Sequence, residues 1–491
     1  MTLLNTSTMG SFGPQAELPS YDRRAVRAGM VHIGVGGFHR AHQAMYIDSL
    51  MNKGEAMDWG ICGVGLLARD ARMRDVLLAQ DCLYTLVLKH PDGRWEPRVI
   101  GSIVDYLYAP DDPDAVIEKM ADPAVRIVSL TVTEGGYNIN HLTHQFDVTA
   151  PAVAADLHSD RPATVFGLVT EALARRRRRD LAPFTIMSCD NISSNGHVAR
   201  TAFTGFARAK DPDLADWVDS FARFPNSMVD RITPQTTDED RAAIAERFGI
   251  VDGWPVVAEP FIQWVLEDSF GDGRPPYEDA GVQVVEDVEP YEMMKLRLLN
   301  AGHQVLGCLG HLAGYRMLHD VARDPLFAGL LMGYLDREAT PTLRPVPGID
   351  LAAYKRQLLA RFSNPGTGDT VARICTDISD RIPNFLVPVV RDQLASGGEV
   401  GRAVAVVAGW ARYAEGVDED GGPIEIVDNR KDALMAAARR YATDPLAFVR
   451  QGDLFGDLGE DPRFARPYLA VLHSLHARGA RWTIANLDAL I

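Results

Sequence analysis

The sequence predicts an α/β fold with a parallel sheet, followed by a mainly helical region. Through the first part of the chain, short apolar segments alternate with helical patterns, as in parallel sheets whose strands are joined by helices. Long helical patterns then take over, the clearest being Met294–Leu318 and Leu351–Arg361. A chain of 491 residues is long enough for two domains. We therefore predict an α/β domain over residues 1–285 and a helical domain over 286–491.

The sheet is predicted from short apolar segments that end at glycine or polar residues. The predicted strands are Val31–Val35, Trp59–Val64, Ile127–Val132 and Phe184–Ser188. Helical periodicity from Phe38 to Met51 follows the first strand. An amphipathic helix from Val165 leads into five arginines, Arg175–Arg179, and because cations favour helix C-termini we interpret this run as a solvated helix end.

The charge and cysteine content exclude several classes of protein. The chain carries 66 acidic and 50 basic residues, a net charge of -16, which argues against a nucleic-acid surface or a polybasic membrane anchor. No apolar stretch approaches the ~18 residues of a membrane span. The five cysteines are widely spaced, which argues against a disulfide framework or a zinc ribbon. We predict a cytoplasmic protein with no nucleic-acid or membrane partner.

A glycine turn between the first strand and the first helix predicts a dinucleotide site. Gly34 allows a tight turn, and Gly36 lets the backbone approach a pyrophosphate at the start of a helix. Gly37 and Phe38 continue the turn into that helix and belong to the same predicted site. His39 occupies the usual third glycine position, so the pattern is incomplete, and the alternative is a glycine-rich turn that binds nothing.

The end of the second strand should supply an acid for the adenosine ribose. Asp70 fits that position and would repel a 2′-phosphate, whereas its neighbour Arg69 could attract one. The sequence therefore favours NAD over NADP. His39 and His42 could form half of a metal site, but no third ligand has a suitable spacing, so we predict a structural role for both.

The segment from Lys295 to His303 suits proton removal from a secondary alcohol. On a regular helix, Asn300 and His303 would lie about 140° and 80° around the axis from Lys295, so all three can face one cleft. A lysine serves as a base when burial lowers its pKa from about 10.4 to about 7–8, and an asparagine can hold the reacting oxygen. The alternative is a helix with three ordinary polar residues. The apolar side of this helix would comprise Leu298, Ala301, Val305 and Leu309.

Two other dehydrogenase classes fit poorly. Tyr291 and Lys295 match the tyrosine–lysine pair of short-chain dehydrogenases, but they follow the predicted domain boundary, so we interpret the match as coincidence. Zinc alcohol dehydrogenases need a Cys, His and Glu ligand set that is not evident in this sequence, so we predict metal-free chemistry.

Over nearly its whole length the chain resembles the polyol-specific long-chain dehydrogenases. The similar segments are His32–His42, Leu130–Tyr137, Met187–Asn191, Phe224–Pro234, Trp254–Asp268 and Lys295–His303. The resemblance implies a Rossmann-type N-terminal domain that binds NAD, a helical C-terminal domain and an active site between them. It implies oxidation of a polyol such as D-mannitol to a ketose such as D-fructose, and the reverse reduction, by a monomer or weak oligomer.

The resemblance also implies roles for individual residues. Lys295 would be the general base in oxidation and the general acid in reduction, with Glu292 linked to proton exchange with solvent. Asn191 and Asn300 would hold the reacting oxygen. Substrate contacts would come from His303, Asp230, Arg373 and Arg381, and further cofactor contacts from Thr133 and Glu134.

Two features leave the substrate open. Glu292 precedes Lys295 by three residues, where a carboxylate would favour the ammonium form unless desolvation outweighs it. Arg381 replaces a lysine of close relatives, and the two are not equivalent at a substrate contact. The alternatives are therefore a hexuronate (fructuronate) reductase, a D-arabinitol dehydrogenase or, outside the enzymes, a dinucleotide-binding regulator.

Overall fold

The computed structural model describes residues 1–140, 143 and 145–491. The chain divides into two compact units, Met1–Glu289 and Pro290–Ile491. All strands formed by the described residues lie in the first unit, and the second unit is helical. The predicted fold class is confirmed. Within the described residues, no helix combines the length and apolar character that crossing a membrane requires.

The first unit is built around a five-stranded parallel sheet in the order β6-β3-β2-β7-β8. Its strands, with those of three smaller sheets, are β1 Thr2–Leu3, β2 Ala28–Ile33, β3 Gly60–Gly65, β4 Tyr84–Lys89, β5 Trp95–Ile100, β6 Ile103–Tyr108, β7 Ile127–Leu130, β8 Thr185–Ser188, β9 Ser227–Asp230, β10 Ile250–Val251, β11 Val256–Ala258, β12 Gln263–Glu267 and β13 Gln283–Val285. The chain starts this sheet in the middle, at β2, and builds outwards first on one side and then on the other. In such sheets ligands bind beyond the carboxyl ends of the strands, where the direction of building changes.

Both faces of this sheet are covered. Met30 and Ile61 point into one apolar cluster, and Val31 and Val128 point into another. Strands buried on both faces read as continuous apolar runs, which is why the sequence located them. The helices of this unit are α1 Gly37–Ala41, α2 Gln43–Asn52, α3 Ala71–Ala79, α4 Pro113–Ala121, α5 Pro151–Leu157, α6 Val165–Arg178, α7 Asn195–Lys210, α8 Pro212–Phe221 and α9 Asp238–Phe248.

Two predictions for this unit need correction. The helix predicted over Phe38–Met51 is interrupted at His42, which has φ −124° and ψ −95° and separates α1 from α2. The arginine run is not a simple solvated helix end. Arg176 is buried, and its guanidinium donates to backbone carbonyls of the α4–β7 connection, whereas Arg175 forms ion pairs with Glu118 and Glu171.

The second unit packs its helices around α11 and α18. Its helices are α10 Glu289–Met294, α11 Ala301–Leu312, α12 Leu318–Arg323, α13 Pro325–Gly333, α14 Leu351–Phe362, α15 Val371–Ile374, α16 Ile378–Phe385, α17 Val387–Ser396, α18 Gly401–Tyr413, α19 Lys431–Ala438, α20 Gly452–Phe455, α21 Pro462–Ala485 and α22 Leu487–Leu490. The prediction of a helix over Leu351–Arg361 is confirmed by α14. The prediction of one helix over Met294–Leu318 is wrong, because α11 ends at Leu312 and Gly314 turns the chain with φ 88°.

Candidate active site

The glycine turn lies at the carboxyl end of β2, the central strand of the parallel sheet. Gly34 has φ 93°, and a Cβ there would lie 2.2 Å from the carbonyl oxygen of Thr131, so only glycine fits. A Cβ at Gly36 would meet only the Gly34 oxygen, at 3.8 Å, which leaves the backbone open to a ligand. Gly37 begins α1, and the ring of Phe38 stacks on His42 at 4.8 Å. The turn therefore has the geometry that a dinucleotide pyrophosphate requires.

The missing third glycine is explained by a pair of stacked imidazoles. His39 faces His32 of β2, with 3.4 Å between ring centroids. His32 is held by Ser129 at 2.8 Å and Thr131 at 3.0 Å, and burial lowers its pKa to about 3. Burial also lowers the pKa of His39 well below its ordinary value. Two neutral rings thus fill the space between helix and strand, where a glycine would otherwise allow closer contact.

His42 also has a structural role. Its Nε2 is bonded to the backbone carbonyl of Gln263 at 3.0 Å, and its ring packs against Trp264. These contacts support the structural role predicted for His39 and His42. Within residues 1–140, 143 and 145–491, no group of three or more His, Cys, Asp or Glu residues is arranged to hold a metal ion.

Asp70 and Arg69 lie in the turn that follows β3, beside the glycine turn in the sheet. One oxygen of Asp70 accepts hydrogen bonds from the backbone N–H groups of Leu66, at 2.9 Å, and Leu67, at 2.8 Å. Arg69 is exposed. The carboxylate thus shapes the loop at the predicted ribose position, and its contact with a ribose stays a prediction.

Asp190 is a residue that the sequence interpretation missed. Its carboxylate accepts hydrogen bonds from the N–H groups of Val132, at 3.0 Å, and Thr133, at 2.8 Å, and from the hydroxyl of Tyr137 at 2.7 Å. It therefore ties the loop after β7 to the loop after β8, and the next residue is Asn191. Its signal in the sequence was an acid at the end of an apolar strand.

The Thr133 loop is held in an unusual backbone conformation. Thr133 has φ 70°, and the turn Glu134–Tyr137 follows it directly. Asn191 is exposed at the end of β8. The structure thus brings the loops of Thr133, Glu134 and Asn191 together at the carboxyl end of neighbouring strands β7 and β8.

Asp230 lies at the end of β9, in a sheet separate from the parallel one. Its side chain is buried, and the following residue, Arg231, donates to the carbonyl of Ala41 at 2.6 Å and to that of Glu259 at 3.0 Å. Burial lowers the pKa of Arg231 to about 10. Because Ala41 ends α1, Arg231 links the Asp230 segment to the helix that follows the glycine turn.

In the second unit, Lys295 begins a π-helical turn. This turn spans Lys295–Asn300 and lies between α10 and α11. Its hydrogen bonds reach one residue further than in an α-helix, so the angles predicted for a regular helix do not apply across it. Lys295 is 6% exposed. The predicted apolar side of the segment is buried at Leu298, Ala301, Val305 and Leu309.

His303 lies in the first turn of α11. Its ring packs on Phe362 with 4.3 Å between centroids, and among the described residues its buried Nε2 has no hydrogen-bond partner. Burial lowers the pKa of His303 to about 3 although Asp369 acts to raise it, and Arg373 contributes to the lowering. The imidazole is therefore neutral near pH 7.

The two predicted substrate arginines already have partners. Arg373 forms a two-pronged ion pair with the buried carboxylate of Asp369, with both N–O distances 2.5 Å. Arg381 donates to the carbonyl of Ile374 at 3.1 Å, at the end of α15. Both guanidiniums are thus fixed by the protein before any substrate binds.

The side chain of Tyr291 makes a structural contact. It is buried, and its hydroxyl donates to the carbonyl of Pro347 at 2.8 Å. This contact supports the interpretation of its match to the short-chain dehydrogenases as coincidence. Glu292 lies with it in α10, one turn before Lys295.

The fold and these residues define a class: a dehydrogenase with a Rossmann-type nucleotide-binding unit and a helical second unit that carries a buried lysine. Family models for the mannitol dehydrogenase Rossmann domain and C-terminal domain match residues 28–279 and 287–475. The chain belongs to the mannitol dehydrogenase family.

Similar proteins cover almost the whole chain. The mannitol 2-dehydrogenase of Pyrenophora tritici-repentis is 47% identical over 97% of this chain and 84% of its own length. A Pseudomonas fluorescens mannitol 2-dehydrogenase, solved as a ternary complex with NAD and D-mannitol, is 45% identical, with a TM-score of 0.88 over 99% of this chain and 100% of that one. A D-sorbitol dehydrogenase in substrate-free form is 40% identical, with a TM-score of 0.92 over 98% of this chain and 100% of that one.

Proposed function

We propose that this protein is a metal-independent, NAD-dependent polyol dehydrogenase that oxidises D-mannitol to D-fructose and catalyses the reverse reduction. The observation that carries the proposal is the set Lys295, Asn300 and His303 on one helical segment of a mannitol dehydrogenase family member. The glycine turn fits the cofactor, because its backbone is open where a pyrophosphate must approach. The similarity to a relative solved with NAD and D-mannitol supports both the cofactor and the substrate.

In the oxidation, Lys295 is the proposed proton acceptor. NAD, when bound, supplies the hydride acceptor for the carbon that is oxidised. The hydroxyl proton of that carbon then needs a base, and the buried amine of Lys295 can take it without competition from bulk water. In the reduction the same group returns the proton to the new hydroxyl oxygen. Glu292, one turn earlier in the chain, is proposed to link Lys295 to solvent.

Two asparagines are proposed to hold the reacting oxygen. An amide N–H can donate to this oxygen as its charge changes between alcohol and carbonyl. Asn300 ends the π-helical turn that Lys295 begins, and Asn191 follows Asp190, whose three hydrogen bonds fix the loop. Both amides thus lie on backbone segments that need little reorganisation during the reaction.

The groups proposed to bind the remaining hydroxyls favour a neutral substrate. His303 is neutral, and its buried Nε2 has no hydrogen-bond partner among the described residues. Asp230 accepts hydrogen bonds only. Recognition of a carboxylate typically uses a two-pronged arginine contact, but the guanidinium of Arg373 already makes that contact with Asp369. Arg381 donates to a backbone carbonyl. This arrangement supports a polyol over a uronate.

The decisive test is a steady-state comparison of substrates. NADH formation should be fastest, by kcat/KM, with D-mannitol, and D-sorbitol is the second candidate because of the similarity to a D-sorbitol dehydrogenase. D-arabinitol should be a poorer substrate. In the reverse direction, kcat/KM for the reduction of fructose should exceed kcat/KM for the reduction of fructuronate. A preference for fructuronate of more than about tenfold, some ~1.4 kcal/mol in the transition state, would overturn the polyol assignment.

We propose that residues 1–285 form the NAD-binding domain and that residues 286–491 form the helical domain that binds the substrate and carries Lys295. The oligomeric state, a monomer or weak oligomer, and the cytoplasmic location stay predictions. Sedimentation velocity of the purified protein measures the oligomeric state directly.

A further inference from the structure

Arg40 lies in α1, directly behind the glycine turn, and is 1% exposed. Its Nε donates to the carbonyl oxygen of Gly36 at 3.3 Å, and its Nη1 donates to the carbonyl of Trp254. The guanidinium lies 5.2 Å from the ring centre of Tyr84, whose hydroxyl donates to the Arg40 carbonyl at 2.6 Å. The side chain therefore turns back beneath the turn and fixes Gly36 in place.

The charge of Arg40 is not neutralised by direct contact. In the part of the chain that the structure describes, no carboxylate forms an ion pair with its guanidinium. Asp252 attracts it from a distance, and the Asp252 carboxylate accepts from Gln80 and from the N–H groups of Thr85 and Trp254. An arginine stays protonated in proteins, and burying a charge without a direct counter-charge is costly. The folded protein thus holds an excess positive charge under the turn.

The helix at this turn is too short to supply much charge itself. Helix α1 has five residues and ends at the irregular His42. The partial positive charge at a helix start comes from aligned peptide dipoles, and few of them align here. A pyrophosphate carries about two negative charges, so positive potential beyond that of this short helix would favour its binding at Gly36.

We propose that Arg40 is the electrostatic anchor of the cofactor pyrophosphate. Its guanidinium supplies positive charge from beneath the turn and holds the Gly36 peptide at which the pyrophosphate binds. Arg40 is thus a positioning residue for the cofactor, and this role rests on the proposed use of NAD. The bound pyrophosphate in turn provides the counter-charge that the folded protein lacks.

The test compares ligands with and without phosphates. Dissociation constants for NADH, ADP-ribose and adenosine are measured by calorimetry for the full chain and for Arg40→Gln and Arg40→Lys. Arg98→Gln is the matched control, since Arg98 is a mostly buried arginine of the same unit that pairs with Asp48 at 2.7 Å. Thermal unfolding of each variant is measured in parallel.

Arg40→Gln should raise the dissociation constants of NADH and ADP-ribose by about tenfold or more, as expected when one charge near an anion is lost in a partly buried site. Adenosine should bind as in the wild type, Arg40→Lys should recover most of the loss, and Arg98→Gln should keep wild-type affinity. The NADH affinity of Arg40→Gln should also depend less on salt than that of the wild type.

Several results would overturn the proposal. They are wild-type NADH affinity in Arg40→Gln, an equal loss for adenosine and NADH, or an Arg40→Lys variant no better than Arg40→Gln. If Arg40→Gln fails to fold, Arg40→Lys decides, because it should keep NADH affinity within about threefold of the wild type if charge is the main requirement. A wild-type protein that does not bind NADH would instead refute the proposed function.

Discussion

The glycine turn and the Lys295 segment differ in the kind of group that each would present to a ligand. At the turn the backbone is the proposed functional group: Gly34 takes φ 93° where no side chain fits, and buried side chains pack against the turn. In the Lys295 segment the side chains are the proposed functional groups, and they lie on or just after a π-helical turn. A site made of backbone leaves a residue pattern in the sequence. A site made of side chains leaves residue identities, but their relative orientation depends on helix geometry that the sequence does not display.

The sharpest test of the side-chain site is Lys295→Ala. Hydride transfer then leaves the alcohol proton without an acceptor, so turnover should fall by ~10²–10⁴-fold, the usual loss without a general base. The affinity for NADH, which is proposed to depend on the glycine turn, should be unchanged when it is measured by calorimetry. Tyr291→Phe is the control and should stay active. An active Lys295→Ala with an inactive Tyr291→Phe would instead favour the short-chain mechanism.

The two asparagines proposed to hold the reacting oxygen should give the next largest effect on turnover. Asn191→Ala and Asn300→Ala should each raise the barrier by ~3–4 kcal/mol in both directions, measured as kcat at saturating substrates. The double variant should lose less than the sum if both amides act on one oxygen. Asn384→Ala, at an exposed asparagine bonded to the Asp380 carbonyl, is the control. Two single variants with wild-type kinetics would remove these residues from the site.

The loss of folding stability at acidic pH tests the buried histidines of the two regions. His32, His39 and His303 have pKa values far below their ordinary value, so only the unfolded chain takes up their protons as the pH falls below about 6.5. For His32 and His303, whose pKa is about 3, this proton uptake by the unfolded chain should lower the stability by about 1.4 kcal/mol each between neutral pH and pH 5.5. In urea unfolding, His303→Asn should lose that much less than the wild type on acidification. Equal acid losses would show that His303 is not held neutral.

Asp70 tests the cofactor side of the comparison. Asp70→Asn keeps an oxygen for the N–H groups of Leu66 and Leu67 but removes the charge that should repel a 2′-phosphate. The ratio of kcat/KM for NADH to that for NADPH should fall by about tenfold, or ~1.4 kcal/mol. A wild-type protein that already prefers NADPH would place the choice with Arg69.

Chelation should have the smallest effect. Because Lys295 is the proposed proton acceptor, activity should survive dialysis against EDTA. Activity that EDTA abolishes and zinc restores would contradict the metal-free mechanism.

The elements that the sequence located are those with local causes. Strands β2, β3, β7 and β8 are apolar because both faces of the sheet are covered, and the Gly34 turn ends β2 because of its own backbone conformation. Predicted strand ends still differ from the observed ends by up to three residues. Val35, for example, was included in a strand that ends at Ile33.

The features that the sequence did not reveal depend on distant contacts. Asp190 bonds to Tyr137 from more than 50 residues away in the chain, and only folding shows that it joins two loops. The burial of Arg176 depends on carbonyls of another connection. The pairing of Arg373 with Asp369 was not predicted for another reason. Two residues that are four positions apart in the sequence can pair with each other or bind a substrate, and the sequence does not distinguish these cases.

The π-helical turn also limits how this protein can evolve. Relative to an α-helix, each of its hydrogen bonds spans one extra residue, so deleting a single residue between Lys295 and Asn300 would allow a regular helix to form across the segment. Such a chain could gain stability while Lys295 and His303 changed their relative direction by about a quarter turn, close to the ~100° step of a helix. In the proposed mechanism the length of this segment therefore matters as much as its residue types, because it sets the relative direction of Lys295 and His303.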